Sequence, residues 1–229
     1  MIDTTESGQA ALTEVEAKRS IGEAGIAVVE TRLAKTKKEA TEIAREIGLP
    51  VALKIVSPDV IHKSDSGGVK LGLNSVTEVG RAYSAIVNAI TRDYPQANIH
   101  GISVQKMVPP GIEVIMGMFK DAQFGPVLMF GLGGIFVEVL KDVSFRIVPI
   151  TRKDAEQMIG EIQGYSMLQG YRGQEPVDTS ALADMLLRLS DFVERSPNNI
   201  RELDLNPVVA YPDGAVAVDA RIILEHGVQ

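Results

Sequence analysis

Two periodicities share this chain, and the places where one gives way to the other predict its elements. Residues 8–24 carry Leu12, Val15 and Ile21 on one side of a 3.6-residue repeat, so a helix is expected there, ended by Gly25. A short strand pair is expected at about 26–35. Thr36 precedes Glu39, and Ser75 precedes Glu78, by the three residues at which a hydroxyl and a carboxylate cap a first helical turn from both sides. The two helices that follow would turn Ala40, Ile43, Ala44 and Ile47, and Val79, Ala82, Tyr83, Ile86 and Ile90, inward. Gly48, Leu49 and Pro50 stop the first of them, and the apolar run 51–56 around Lys54 reads as a buried strand.

From residue 99 the strands come in quicker succession, at 99–107, 112–119, 125–130 and 143–149, so this half is richer in antiparallel sheet. A helix is expected from Thr151, then an exposed Gly-rich stretch over 160–177. A helix over 179–195 follows, burying Leu182, Met185, Leu186, Leu189, Phe192 and Val193. The last element is a hairpin, 200–223, turning at Pro212, Asp213 and Gly214. The change of texture near 105–110 predicts two α/β lobes with a ligand cleft between them.

The chain has 229 residues, 45% of them hydrophobic and 23% charged, which suffices for a real core. A net charge of -7 argues against a nucleic-acid-binding surface, yet backbone N–H groups and a few lysines can still hold a phosphate. There are no cysteines, which removes disulfides, thiolate metal sites and cysteine nucleophiles together. The first twenty residues are polar and acidic, unlike a secretory signal, and no apolar run approaches the roughly 20 residues that span a bilayer. A soluble cytoplasmic protein is expected, without nucleic acid or membrane as partner.

The densest chemistry lies in Lys54-Ile-Val-Ser-Pro-Asp-Val-Ile-His62-Lys63-Ser64-Asp65-Ser66-Gly67-Gly68-Val69-Lys70. A lysine on a buried strand, then a small polar loop with Gly67 and Gly68, has the makings of a phosphate cradle, with Lys63 or Lys70 adding charge. The same residues also suit a surface hairpin whose glycines serve the turn. His62, set among lysines, is a structural histidine or a nucleophile toward phosphorus. His100 and His226 read as structural, and three histidines without an HExxH pattern argue against a zinc enzyme. A second glycine loop, Phe130 to Phe136, leads to Glu138 but lacks the third glycine of GxGxxG, and no GxxxxGK[ST] is present.

The C-terminal hairpin allows a geometric expectation. With Pro212 and Asp213 as its central pair, Asn206 falls opposite Asp219 and Asp204 opposite Arg221. Alternation then puts Glu202, Asp204, Asn206, Asp219 and Arg221 on one face, and Leu203, Leu205, Val218, Ala220 and Ile222 on the other. The polar face is an oxygen-ligand set suited to Mg²⁺, or a solvated sheet face, and Pro207 can bulge the register.

These motifs, with SIGEAGIAV (20–28), VQKMVPPGIEVIMG (104–117), FGPVLMFGLGGIFVEVLKDVSFRIVPI (124–150), LQGYRG (168–173) and ELDLNPVVAYPDGAVAVDARI (202–222), resemble the ATP-grasp subunit of ADP-forming acyl-CoA synthetases. The chain is more distantly similar to the β-subunit of succinyl-CoA synthetase. The resemblance implies an α/β (α+β) ATP-grasp fold, its two lobes clasping Mg-ATP: 1–104 with a leading helix and phosphate loop, and 105–229 with the metal hairpin. It implies that Lys54 contacts phosphate with the loop of Lys63, Gly67 and Gly68. Gln105 to Val108 would meet the adenine and Glu113 the ribose, Asn206 and Asp219 would hold Mg²⁺, and Glu138 would support metal or phosphate.

In the family's phosphoryl relay His62 corresponds to a second carrier histidine that exchanges phosphate with ADP, and Asp204 to the carboxylate that orients it. Coenzyme A and the carboxylic acid then bind a separate α subunit with its own phosphorylatable histidine, in a heterotetramer. A stand-alone ATP-grasp carboxylate ligase would not need His62, and a non-catalytic nucleotide sensor would need no complete metal and relay set.

Overall fold

The capping signals open helices where they were expected, with one chemical difference. Thr36 and Ser75 each accept the N–H of the residue three further on, starting α2 (Lys37–Ile47) and α3 (Val76–Asp93). The glutamates, however, accept the N–H groups of Lys35 and Asn74, one residue before the cap, at 2.7 and 2.8 Å. Their longer side chains carry the carboxylate past the cap. The shorter Asp154 closes a complete capping box with Thr151 at the start of α4 (Arg152–Glu161).

A computed structural model describes residues 2–4, 10–60, 63–134, 142–170, 173, 175–196 and 200–225. The described strands are β1 (Ile2–Thr4), β2 (Ala10–Leu12), β3 (Thr31–Ala34), β4 (Val51–Val56), β5 (Val69–Leu73), β6 (Gly101–Lys106), β7 (Ile112–Asp121), β8 (Gly125–Leu132), β9 (Val143–Ile147), β10 (Ile200–Tyr211), β11 (Gly214–Ala217) and β12 (Arg221–Leu224). The remaining described helices are α1 (Glu14–Glu23), α5 (Tyr165–Leu168) and α6 (Thr179–Arg195). The chain forms two compact units: residues 1–8, 13–15 and 29–108, and residues 9–12, 16–28 and 109–229. The division thus falls after Val108 rather than at 104, and residues 16–28, expected in the first lobe, group with the second.

The first unit is a four-stranded antiparallel sheet in the order β3-β6-β4-β5. Helices α2 and α3 lie on one face of it, over Leu53, Ile55, Ile102 and Val104, with Ala40, Ala44, Val79, Ile86 and Ile90 in the same core. Alternation sends Lys54 and Ser103 to the other face. In the second unit the sheet runs β2-β12-β10-β7-β8-β9, with β11 also paired to β10. One face of this sheet is packed by α1, α4 and α6 through Ala17, Ile21, Met158, Leu182, Leu186 and Leu189. Each such leucine-sized side chain contributes about 1.5–3 kcal/mol on burial.

Three expectations change. Helix α1 begins at Glu14 instead of 8, because residues 10–12 form a strand beside β12. The strand pair at 26–35 reduces to β3, with Val28 making an isolated bridge to Ala217. The stretch 160–177 is not merely exposed: Ile162, Leu168 and Val177 are buried in the core. It is anchored by Asp142, whose carboxylate accepts the Gln163 and Gly164 N–H groups at 2.6 and 2.7 Å. Among the described residues no helix is long and apolar enough to cross a membrane.

Candidate functional site

In the first unit the inner strand β4 carries Lys54 on the sheet face away from α2 and α3. Its ammonium donates to the Glu14 carboxylate at 2.9 Å, with the two side chains 14% and 6% exposed. Lys54 stands out in the sequence, whereas Glu14 does not. Forty positions separate the two residues, and the only available signal was that a cation on a buried strand requires a counter-charge. Across the ladder, Ser103 lies opposite Lys54 and Gln105 opposite Ala52, and both polar side chains are buried. Val108 is half-buried at the end of this unit.

The loop after β4 folds back on the strand. Gly68 donates to the Lys63 carbonyl at 2.7 Å and Gly67 to the Ser64 carbonyl at 3.2 Å, while Ile55 donates to the Gly68 carbonyl. Gly67 has φ +73°, and a Cβ on Gly68 would lie 2.6 Å from Ile55 Cγ2, so glycine is required at both places. The N–H groups of Gly67 and Gly68 are thus spent inside the loop in this structure, whose closure both glycines serve. Lys63 is half-buried and supplies the carbonyl that anchors the turn. His62 lies outside the described residues, as do Glu138 and His226.

The second unit carries Glu113, Asp204 and Asn206 on its sheet, with Asp219 in the break between β11 and β12. The hairpin register is as expected on both sides of its middle: Val208 pairs with Ala217 and Tyr211 with Gly214 near the turn, and Asp204 with Arg221 and Leu203 with Ile222 further out. Asn206 and Asp219 occupy matching positions between these paired stretches, where 218–220 leave the ladder. Both strands change parity there. Core positions run Leu203, Leu205, Val208, Ala210 on β10, and Ala217, Ala220, Ile222 opposite. The register of β10 against β7 slips by one residue between Leu205 and Val208, the bulge that Pro207 made possible. Val218, expected on the core face, is accordingly only half-buried and donates its N–H to the Pro207 carbonyl.

Asp204 sits opposite Gly117 of β7, where a Cβ would come within 3.1 Å of the Leu203 carbonyl oxygen and 3.8 Å of Asp204 Oδ1. Burial, then the neighbouring Glu202 charge, pushes its carboxyl up from the usual 3.8 to about 6; Arg221 opposes this and Asp219 adds to it. Asp219 Oδ1 accepts the Ala220 N–H at 2.8 Å, which fixes the carboxylate. Glu113, exposed on β7, accepts the Gly133 N–H on its carbonyl at 2.7 Å, and a Cβ on Gly133 would strike Glu113 Cβ at 2.9 Å. The second glycine loop is therefore seated on Glu113.

Among the described residues no three His, Cys, Asp or Glu side chains converge as a metal cage. Asp219 with Asn206 offers two oxygen donors, which fits Mg²⁺, an ion that takes its other ligands from water and phosphate. In protein free of nucleotide and metal, the Asp204 carboxyl carbon is expected to titrate with a midpoint near pH 6. Glu202→Gln should move that midpoint down and Arg221→Met should move it up. A wild-type midpoint at the ordinary aspartate value, read by carbon NMR, would refute this description of the face.

A sheet-and-helix first unit and a larger antiparallel second unit bearing an acidic hairpin define an ATP-grasp protein. Residues 3–224 match the ATP-grasp domain family, and the chain belongs to it. Within that family, the acetate–CoA ligase (ADP-forming) I subunit beta of Pyrococcus furiosus is 47% identical over 224 residues, 98% of this chain and 96% of that one. The longer acetate–CoA ligase (ADP-forming) I of Archaeoglobus fulgidus is 49% identical over 87% of this chain, which spans 29% of that protein. The Ca. Korarchaeum cryptofilum dinucleotide forming acetyl-coenzyme A synthetase 1, in complex with coenzyme A, Ca-AMPCP and HgCl+, superposes with a TM-score of 0.90 at 53% identity over 96% of both chains. A structure of that synthetase with coenzyme A and Mg-AMPPCP, its phosphohistidine segment pointing towards the nucleotide binding site, superposes with a TM-score of 0.84 at 50% identity, over 96% of this chain and 95% of that one.

Proposed function

We propose that this chain is the nucleotide-handling subunit of an ADP-forming acyl-CoA synthetase, which interconverts acid, CoA and ATP with acyl-CoA, ADP and phosphate. The observation that carries this reading is the hairpin face, where Asp219 stands close enough to Asp204 for its charge to oppose ionisation of the Asp204 carboxyl. Such a face is complementary to a divalent cation carrying phosphate.

Asn206 and Asp219 hold Mg²⁺, which offsets the charge on the nucleotide phosphates. Lys54 contacts those phosphates, Gln105 to Val108 meet the adenine, and Glu113 accepts from the ribose. His62 is the phosphoryl carrier. Its imidazole nitrogen takes the phosphoryl group from a partner histidine, the N–P bond there breaking as the new one forms, and then passes it to a terminal oxygen of ADP. Asp204 accepts the other imidazole N–H, fixes the tautomer and balances the charge of the phosphohistidine.

The acid and coenzyme A are handled by an α subunit carrying its own phosphorylatable histidine, the two chains forming a cytoplasmic heterotetramer. The P. furiosus relative is itself named a subunit, and the A. fulgidus relative holds the matching region in a longer chain, which supports a two-part machine. The purified chain is expected to bind Mg-ADP but to make no acyl-CoA from acid, CoA and Mg-ATP, and to gain that activity with its α subunit. Acyl-CoA formation by the isolated chain would overturn the reading in favour of a stand-alone ligase.

A further inference from the structure

Of the ion pairs between described residues, Lys54–Glu14 is the most shielded from solvent, the two side chains being 14% and 6% exposed. The next most shielded, Arg146–Glu161 and Lys120–Glu225, have partners at 25% and 50% and at 36% and 28%. A buried pair of this kind is a poor stabiliser, because the cost of desolvating both charges offsets their attraction, and two apolar residues of like volume would serve the fold as well. The hydrophobic core does not require it either: Leu53 and Ile55 fill the core face of β4, while Lys54 points away from it. Glu14 is the first residue of α1, where the helix N-terminus favours a carboxylate and holds it in place.

We propose that Glu14 is an anionic placeholder for a nucleotide phosphate. With no nucleotide bound, its carboxylate keeps the Lys54 ammonium charged and aimed; an arriving phosphate oxygen takes over that contact. The inference rests on the reading of Lys54 as a phosphate-contacting residue. A phosphate of higher charge outbids a single carboxylate for the ammonium, and the two anions then repel one another across it. Glu14 therefore lowers nucleotide affinity below what Lys54 alone would give, and it speeds release in a cycle where ADP and ATP must exchange at every turnover. It acts through Lys54, as a positioning residue.

Binding of Mg-ADP to the full chain, measured by titration calorimetry for wild type, Glu14→Gln, Lys54→Met and the double variant, tests this. The glutamine keeps an acceptor for the ammonium while removing the charge. Glu14→Gln should bind Mg-ADP about tenfold more tightly, a gain that a merely structural role would not produce. Lys54→Met should bind more weakly, and in that background Glu14→Gln should add no comparable gain. Should Lys54→Met alone fail to fold, the double variant, which removes both charges, carries the lysine arm of the test against Glu14→Gln. Unchanged or weaker binding by Glu14→Gln, with binding still lost in the lysine variants, would overturn the placeholder and leave the role of Lys54 standing. Undiminished binding in the lysine variants would overturn both.

Discussion

Replacing His62 with alanine is expected to lower acyl-CoA formation by the complete two-subunit enzyme by on the order of a thousandfold or more, if His62 is the covalent carrier proposed above, since such a carrier cannot be bypassed. Wild-type enzyme incubated with γ-labelled ATP and Mg²⁺ should carry an acid-labile, base-stable label on this chain, and the variant should carry none. Val60 and Lys63, the described residues on either side of 61–62, have defined partners. Val60 is buried in the first core, and the Lys63 carbonyl accepts from both Gly68 and Ser66. Nucleotide binding should survive the substitution, so loss of label with Mg-ADP affinity intact separates a chemical defect from a folding defect. Full activity in His62→Ala, or label confined to the partner, would remove His62 from the relay.

Much of the helical layer was legible in the sequence because short-range chemistry decides it. Thr36 and Ser75 cap the helices they precede, and α6 occupies the expected 179–195. The stripe Leu182, Met185, Leu186 and Leu189 is buried, while Phe192 and Val193 pack against its edge. Misreadings fell where a distant partner decides the conformation. Residues 10–12 have a pattern compatible with a helix, but Ala11 pairs with Ile223, and nothing local announces an edge strand supplied from the far end of the chain. In the same way, nothing local marks 162–168 as buried, because its anchor is Asp142.

The hairpin shows why counting worked where it had reason to fail. Pro207 lies in a bulge, and a bulge on one strand alone would have moved Asp219 out of line with Asn206. The facing strand makes its own parity change between Ala217 and Ala220, so the cross-strand numbering is restored beyond it. The sequence contained the proline but not the compensation. The glycines of the first loop divide differently. Their need for a special backbone was legible, but the destination of their N–H groups was not, because the acceptors are carbonyls of the same loop.

Asp204 and Asp219 lie on one face, yet their replacements are expected to fail in different ways. Asp219→Asn and Asn206→Ala each weaken or remove a proposed contact to Mg²⁺ worth about 1.5–3 kcal/mol, and should weaken Mg-ADP binding roughly tenfold to a hundredfold. Asp204→Asn should leave that affinity close to wild type and cut turnover by roughly a hundredfold to ten-thousandfold, because it removes the charge proposed to fix the tautomer of the carrier imidazole and balance its phosphorylated form. Stability provides the control. The Asp204 carboxyl is raised in the folded chain, so its ionised form costs stability at every pH above about 6, and that cost fades as pH falls from about 6 towards 3.8. Asparagine carries no such cost, so at pH 7.5 the thermal midpoint of Asp204→Asn should be no lower than that of wild type. A variant that is at least as stable and binds Mg-ADP, yet turns over slowly, would place Asp204 in the transfer step. Wild-type turnover in Asp204→Asn, or a loss of Mg-ADP affinity equal to that of Asp219→Asn, would assign it instead to a bystander position or to the metal.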